Sequence, residues 1–176
     1  MVEGTLGFEG LAINVWLVWM LPFIGAAAIA GIARYGHKIR DYFAVSFSLG
    51  SAIFATTLLP LGISGGEILS QIPWISTLGL EAGVLADPLS IIMTNLVAWV
   101  SFLIFVYSIG YMHGDRDLTR FWFFMLFFIG SMQLIVLSDN LLMVFFGWEG
   151  VGLASYALIG FWYHDRKKDY VGREGE

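Results

Sequence analysis

Apolar residues run through this chain in blocks too long and too uniform for the helices of a soluble core. Five stretches of spanning length stand out, approximately Leu11–Ala33, Tyr42–Ile63, Pro88–Met112, Phe121–Leu137 and Leu141–Tyr163. At about 1.5 Å of rise per residue they suit a hydrocarbon layer about 30 Å thick, the fourth and shortest with little tilt. The pattern predicts an all-α integral membrane protein, a single membrane domain over residues 1–176 with five transmembrane helices. Between the second and third spans lies GGEILSQIPWISTLGLEAGVLAD, more structured than a linker needs to be. Its short apolar runs flank Glu81-Ala82-Gly83, which predicts a turn and a small outer β-hairpin lying on the membrane surface. Asp87-Pro88 then opens the third span, Asp as N-cap and Pro in the first turn, where its missing N–H costs nothing.

Charge gives the spans a direction. Arg34, Lys38 and Arg40 follow the first span, Arg116 and Arg120 follow the third, and Arg166, Lys167, Lys168 and Arg173 follow the fifth. These are all nine basic residues of the chain. With five spans the three sets share one side, so the positive-inside rule predicts an outside N-terminus and an inside C-terminus. The other side carries Glu3, Glu9, Glu67, Glu81, Asp87 and Asp139 and no cation.

Composition agrees with a membrane setting. The chain is 58% apolar and only 13% charged, about half the charge of a soluble domain, with a mean hydropathy of +0.77. Cysteine is absent, which excludes disulfides and thiolate metal sites. His37, His113 and His164 fall in charged connectors, arguing against a haem or metal held within the membrane. No basic patch with interleaved aromatics suggests nucleic acid. The first apolar run reads as a membrane span and not as a signal peptide, because its head, MVEGTLGFEG, is acidic and the run is too long.

One acidic residue interrupts this picture. Glu149 lies roughly 12 Å along the fifth span, near mid-depth. A carboxylate there costs about 2.5 kcal/mol or more, and by default marks an ion or proton path. On a helix Gly152, Leu153, Tyr156 and Gly160 share its face. The two glycines let a neighbouring helix come close and leave room for water. Desolvation favours the protonated acid and a nearby cation favours the carboxylate, so a group between these influences can cycle a proton as its partner moves. The alternative is a neutral, hydrogen-bonded helix–helix contact. Trp148 either orders the site or packs, and Tyr156 either bonds to Glu149 or packs.

Asn14, Thr94, Asn95, Gln133 and Ser155 are weaker polar points, read first as interhelical hydrogen bonds. Asn95 and Gln133 stand out because amides can hold waters in a chain. Asp139, in the short SDN join, reads as a turn and N-cap residue, with an outer proton exit as the second reading. The FWFFMLFF run of the fourth span looks like a face exposed to lipid or to another subunit.

The stretch DNLLMVFFGWEGVGLASYALIGFWY resembles the fifth-helix signature of the antiporter-like subunit L of respiratory complex I, the NADH-quinone oxidoreductase family. DPLSIIMTNLVAWVSFLIFVYSIGYMHGD and the RFW start of the fourth span are similar to the same family. The resemblance covers the whole chain, most specifically Asp87 to Tyr163. The wider family includes the Mrp-type sodium/proton antiporter large subunit and the archaeal deazaflavin-linked dehydrogenase complex, whose branch the tail DYVGREGE resembles. The resemblance implies that Glu149 matches the family's fifth-helix glutamate, which takes part in proton translocation, supported here by Trp148, Gly152, Tyr156, Asp139, Asn95 and Gln133. It implies a place among other membrane-arm subunits in the plasma membrane of a bacterium or archaeon. It also implies no cofactor in this chain, with flavin, iron–sulfur clusters and quinone or phenazine in partner subunits.

The departure is length. Family members carry many more helices, including membrane lysines that pair with the glutamate, and no Lys here falls inside a predicted span. The expectation is therefore the N-terminal section of a larger antiporter-like fold, its remaining helices on another chain or lost by truncation. The function expected is proton translocation coupled to electron transfer elsewhere in an NADH- or deazaflavin-linked complex. The alternatives are an Mrp-type antiporter subunit and a structural membrane scaffold without transport. No nucleophile–base pair, phosphate loop or metal cluster suggests a self-contained enzyme.

Overall fold

The computed structural model describes residues 10–75, 80–112, 114 and 117–161. Glu3, Glu9, His113, Arg116, His164 and the basic tail from Arg166 to Arg173 lie outside the described residues. Six helices and two strands follow in the order α1 (Leu11–Ile32), α2 (His37–Thr57), α3 (Leu59–Ile63), β1 (Ile68–Ile75), β2 (Leu80–Ala86), α4 (Pro88–Tyr111), α5 (Leu118–Leu137) and α6 (Leu141–Ile159), with a 3₁₀ turn over Ala33–Tyr35. Among these are five helices long and apolar enough to cross a membrane, the second counted through α3.

Two prolines shape the first two spans. Pro22 lies inside α1 and has no amide to return to the Val18 carbonyl one turn earlier. The Ser51 hydroxyl of α2 donates to that carbonyl at 2.7 Å, so the helix stays continuous and gains a tie to its neighbour. Pro60 has no such substitute, and the second span breaks at Leu58 between α2 and α3. The last turn of α2 then leaves carbonyl oxygens that need donors. The Asn95 amide of α4 supplies one, donating to the Ala55 carbonyl at 2.8 Å.

The second span begins earlier than hydropathy suggested. Gly36, with φ of +128° in the region open to glycine, turns the chain directly into α2. His37, Lys38 and Arg40 are therefore helical residues, not connector residues, and Lys38 does lie within a spanning helix, at its very end. At the far side of the third span, the Asp87 carboxylate accepts from the Ser90 amide at 2.7 Å. The Ser90 hydroxyl accepts from the Asp87 amide at 2.8 Å, which closes a capping box before Pro88.

β1 and β2 pair antiparallel, with Ile68 opposite Ala86 and Gln71 opposite Gly83. Glu81, Ala82 and Gly83 are thus strand residues, which corrects the turn expected there; the segment 76–79 lies outside the described residues. Gly83 is glycine for steric room: a Cβ there would collide with the Asp139 carboxyl group. The Trp16 indole donates to Ser70 at 3.0 Å and holds the strand pair against α1.

α5 is the central helix, touching α1, α2, α4 and α6. The expectation of an exposed aromatic run is corrected here. Trp122 and Leu126 are fully buried, and the other residues from Phe121 to Phe128 are half-buried. Close approach makes this placement work, because Gly130 receives the Phe23 ring of α1, which meets Phe127 edge-on at 5.2 Å.

Candidate functional site

α6 sits at the edge of the bundle, packed chiefly on α5. Its start is capped by Asn140, whose side chain accepts from the Met143 amide at 3.0 Å. The N-cap role expected of Asp139 therefore belongs to the next residue. Asp139 instead accepts from Gln71 of β1 at 2.6 Å, and its amide donates to the Gly83 carbonyl at 3.2 Å. Asn140 adds a bond to the Glu81 carbonyl at 3.1 Å. The carboxylate thus clamps the strand pair to the α5–α6 turn.

The buried side of α6 is Met143, Gly147, Gly150, Ala154 and Ala157. A Cβ on Gly147 would stand 3.0 Å from the Ser131 carbonyl oxygen, and one on Gly150 would strike the Ser131 hydroxyl. These two glycines let α6 lie flat against α5. The repeat of small residues three and four apart, Gly147, Gly150, Ala154 and Ala157, is the sequence signal for this face.

Glu149 points the other way and is exposed, as are Gly152, Leu153 and Tyr156, with Gly160 partly so. Trp148 is 68% exposed and Tyr156 80%. Nothing lies within 4 Å of a Cβ built on Gly152. Among the described residues Glu149 has no hydrogen bond or ion pair, and Tyr156 does not bond to it. Among the described residues the site is one carboxylate, eight residues on from the first residue of a 19-residue helix, on a face where Gly152 and Leu153 add no polar side chain and Tyr156 adds a hydroxyl. Asn95 and Gln133 are not beside it. Both are buried between α4 and its neighbours, Asn95 toward α2 and Gln133 donating to the Thr94 carbonyl at 3.0 Å. Asn14 bonds to Thr57 at 3.0 Å across α1 and α2.

A second polar group went unnoticed in the sequence. Arg40 is only 3% exposed and pairs with Asp41 at 2.8 Å, while the Trp122 indole donates to the same Asp41 oxygen at 2.7 Å. Thr119 and His37 lie at 3.3 and 3.4 Å from the guanidinium. Beside it opens a cavity of about 660 Å³ lined by Tyr35, His37, Lys38 and Tyr42, among others, at the opposite end of the bundle from the strand pair. Among the described residues no three His, Asp or Glu side chains converge as metal ligands.

Comparison with known proteins assigns this arrangement a family. A family model described as the N-terminus of chain 5 of NADH-ubiquinone oxidoreductase (complex I) matches residues 72–122. A second, described as the transmembrane region of NADH:quinone oxidoreductase and Mrp antiporters, matches residues 138–172, which include Glu149. NADH-quinone oxidoreductase subunit L of Mycobacterium tuberculosis (strain H37Rv) is 39% identical over 156 residues, covering 85% of this chain and 25% of the relative. The chain belongs to the antiporter-like subunit L family of complex I. Subunit L of Escherichia coli K12 is 36% identical over 158 residues, 86% of this chain and 26% of the relative. That of Rickettsia bellii is 39% identical over 153 residues, with 84% and 24% covered. The chain spans about a quarter of the length of the curated relatives it matches.

Proposed function

We propose that this chain forms part of a proton-translocating membrane-arm subunit, with Glu149 as its ionisable group. Translocation is coupled in this reading to electron transfer in other subunits, which carry flavin, iron–sulfur clusters and quinone or phenazine and draw electrons from NADH or a reduced deazaflavin. The observation that carries it is the outward position of Glu149 at mid-helix. A carboxylate on a helix edge within a bilayer cannot rest against lipid tails without a cost of about 2.5 kcal/mol or more. It therefore faces another helix, water or a cation from beyond the described residues. Gly152 leaves the space for that neighbour, and Trp148 and Tyr156 flank it. The basic residues lie on the cytoplasmic side of a plasma membrane in this reading, with the strand pair and Asp139 outside. An Mrp-type antiporter subunit is the alternative, and the relatives named above, all NADH-quinone oxidoreductase subunits, do not favour it. A scaffold without transport leaves the mid-membrane acid unexplained.

Glu149→Gln tests the assignment. It should leave assembly intact and reduce the protons moved per electron transferred, measured in sealed vesicles with a pH-sensitive dye. Glu149→Asp should be milder, since it keeps the ionisable group and withdraws it by one methylene. Full pumping by Glu149→Gln at normal complex levels would refute the role.

A further inference from the structure

Away from the Glu149 face, five buried side-chain polar atoms lack a hydrogen-bond partner among the described residues, and two of them belong to Thr94 and Gln133, which are already tied to each other. Thr94 of α4 and Gln133 of α5 are both fully buried. Gln133 Nε2 donates to the Thr94 carbonyl at 3.0 Å, which places the other atom of the amide, Oε1, beside the helical turn that carries the Thr94 hydroxyl. Neither Gln133 Oε1 nor Thr94 Oγ1 has a partner among the described residues. Hydrogen placement does not account for this, because a hydroxyl proton rotates to suit its surroundings. Turning the amide over does not help either. It would set Oε1 against the Thr94 carbonyl oxygen and leave a donor orphaned instead.

Groups of this kind are costly when left dry in a membrane interior. Buried waters typically make about three hydrogen bonds to such otherwise unsatisfied groups. We infer that a bound water molecule bridges Thr94 Oγ1 and Gln133 Oε1 between α4 and α5. The chemistry matches: water accepts the hydroxyl proton of Thr94 and donates to the carbonyl-type oxygen of Gln133. Ala98, one turn on from Thr94 on the same face and 1% exposed, contributes only a methyl group there. A metal cation fits less well, since no carboxylate is among the buried residues described and two neutral oxygens would leave its charge uncompensated. The site stands at about the depth of Glu149, because Gly147 and Gly150 on α6 meet α5 at Ser131 and Ile135. It lies on the other side of α5, so it is separate from the proposed translocation face.

A density map of the assembled native complex, at a resolution that shows ordered water, reads the site directly. A peak within hydrogen-bonding distance of both oxygens is expected. A direct contact between the two oxygens, or a hydroxyl turned onto the Ser90 carbonyl with no peak, would overturn the inference. So would a peak whose occupancy follows the sodium concentration. Thr94→Val adds a test of sign, since it removes the hydroxyl at nearly constant shape. With a bridging water the variant loses the peak and melts at lower temperature. If it melts at the same or a higher temperature, the hydroxyl was a dry orphan and the inference fails.

Discussion

Asp41→Ala is the perturbation with the clearest energetic consequence. The Asp41 carboxylate accepts from Arg40 Nε at 2.9 Å and from a terminal guanidinium nitrogen at 2.8 Å, and from the Trp122 indole at 2.7 Å. Removing it strands a guanidinium that is 3% exposed and an indole N–H that is fully buried. Breaking a buried pair from one side costs about 3–5 kcal/mol, and an orphaned neutral donor about 1–3 kcal/mol. The two terms share one acceptor and do not add. Asp41 is itself 19% exposed, and Thr119 and His37 remain near the guanidinium. These facts put the expected loss near the low end, about 3 kcal/mol. For a chain of this size that corresponds to a fall in melting temperature of about 6–12 °C, readable by intrinsic tryptophan fluorescence in detergent. The double variant Arg40→Leu/Asp41→Ala separates cause from coincidence. If the loss comes from an uncompensated charge, removing the charge restores more than half of it. A single variant that melts within about 1 °C of the parent, equivalent to well under 1 kcal/mol, would refute the reasoning. So would a double variant that melts lower still.

Three further expectations rest on separate contacts. Gly150→Leu forces side-chain atoms into Ser131 and Phe127 and should cost about 1–3 kcal/mol of stability. Gly152→Leu, with open space around it, should leave the melting of this chain unchanged, and comparing the two melts checks which face of α6 packs inward. Hydrogen bonds from the Ser90 backbone amide and then its hydroxyl hold the Asp87 carboxyl below its ordinary 3.8. Its folded value is the lower one, so its contribution is whole above 3.8 and is lost as pH falls through the folded value. Asp87→Ala should cost about 0.5–1 kcal/mol at neutral pH, the low end because the group is only partly buried. Asp87→Asn, an equally good cap, should keep most of that stability while flattening the acid limb of a pH melt.

Several features were readable along the chain because they depend on local, additive costs. Each residue placed in hydrocarbon contributes its own transfer free energy, so the five spans emerge from the order of residues alone. The Asp87-Pro88 start was equally plain, since a cap and its first turn are neighbours. The isolation of Glu149 within an apolar stretch needed no coordinates to be noticed.

Facing was another matter. In a span that is apolar all round, hydropathy carries no record of which side meets protein and which meets lipid. That was settled by fit between distant segments: Gly147 and Gly150 against Ser131, and Phe23 into the notch at Gly130. The same limit hid the central position of α5, whose aromatic run reads as lipid-facing until α1 and α6 close over it. Asp139 read as the cap of α6, yet Asn and Asp suit that role about equally. Asn140 took the cap, while Gln71, 68 positions away, engaged Asp139. Arg40 likewise read as a solvated connector charge until Gly36 turned the chain early and brought its pair onto Trp122. Burial and partnership are properties of the packed bundle. Composition sets only which residues are available to take part.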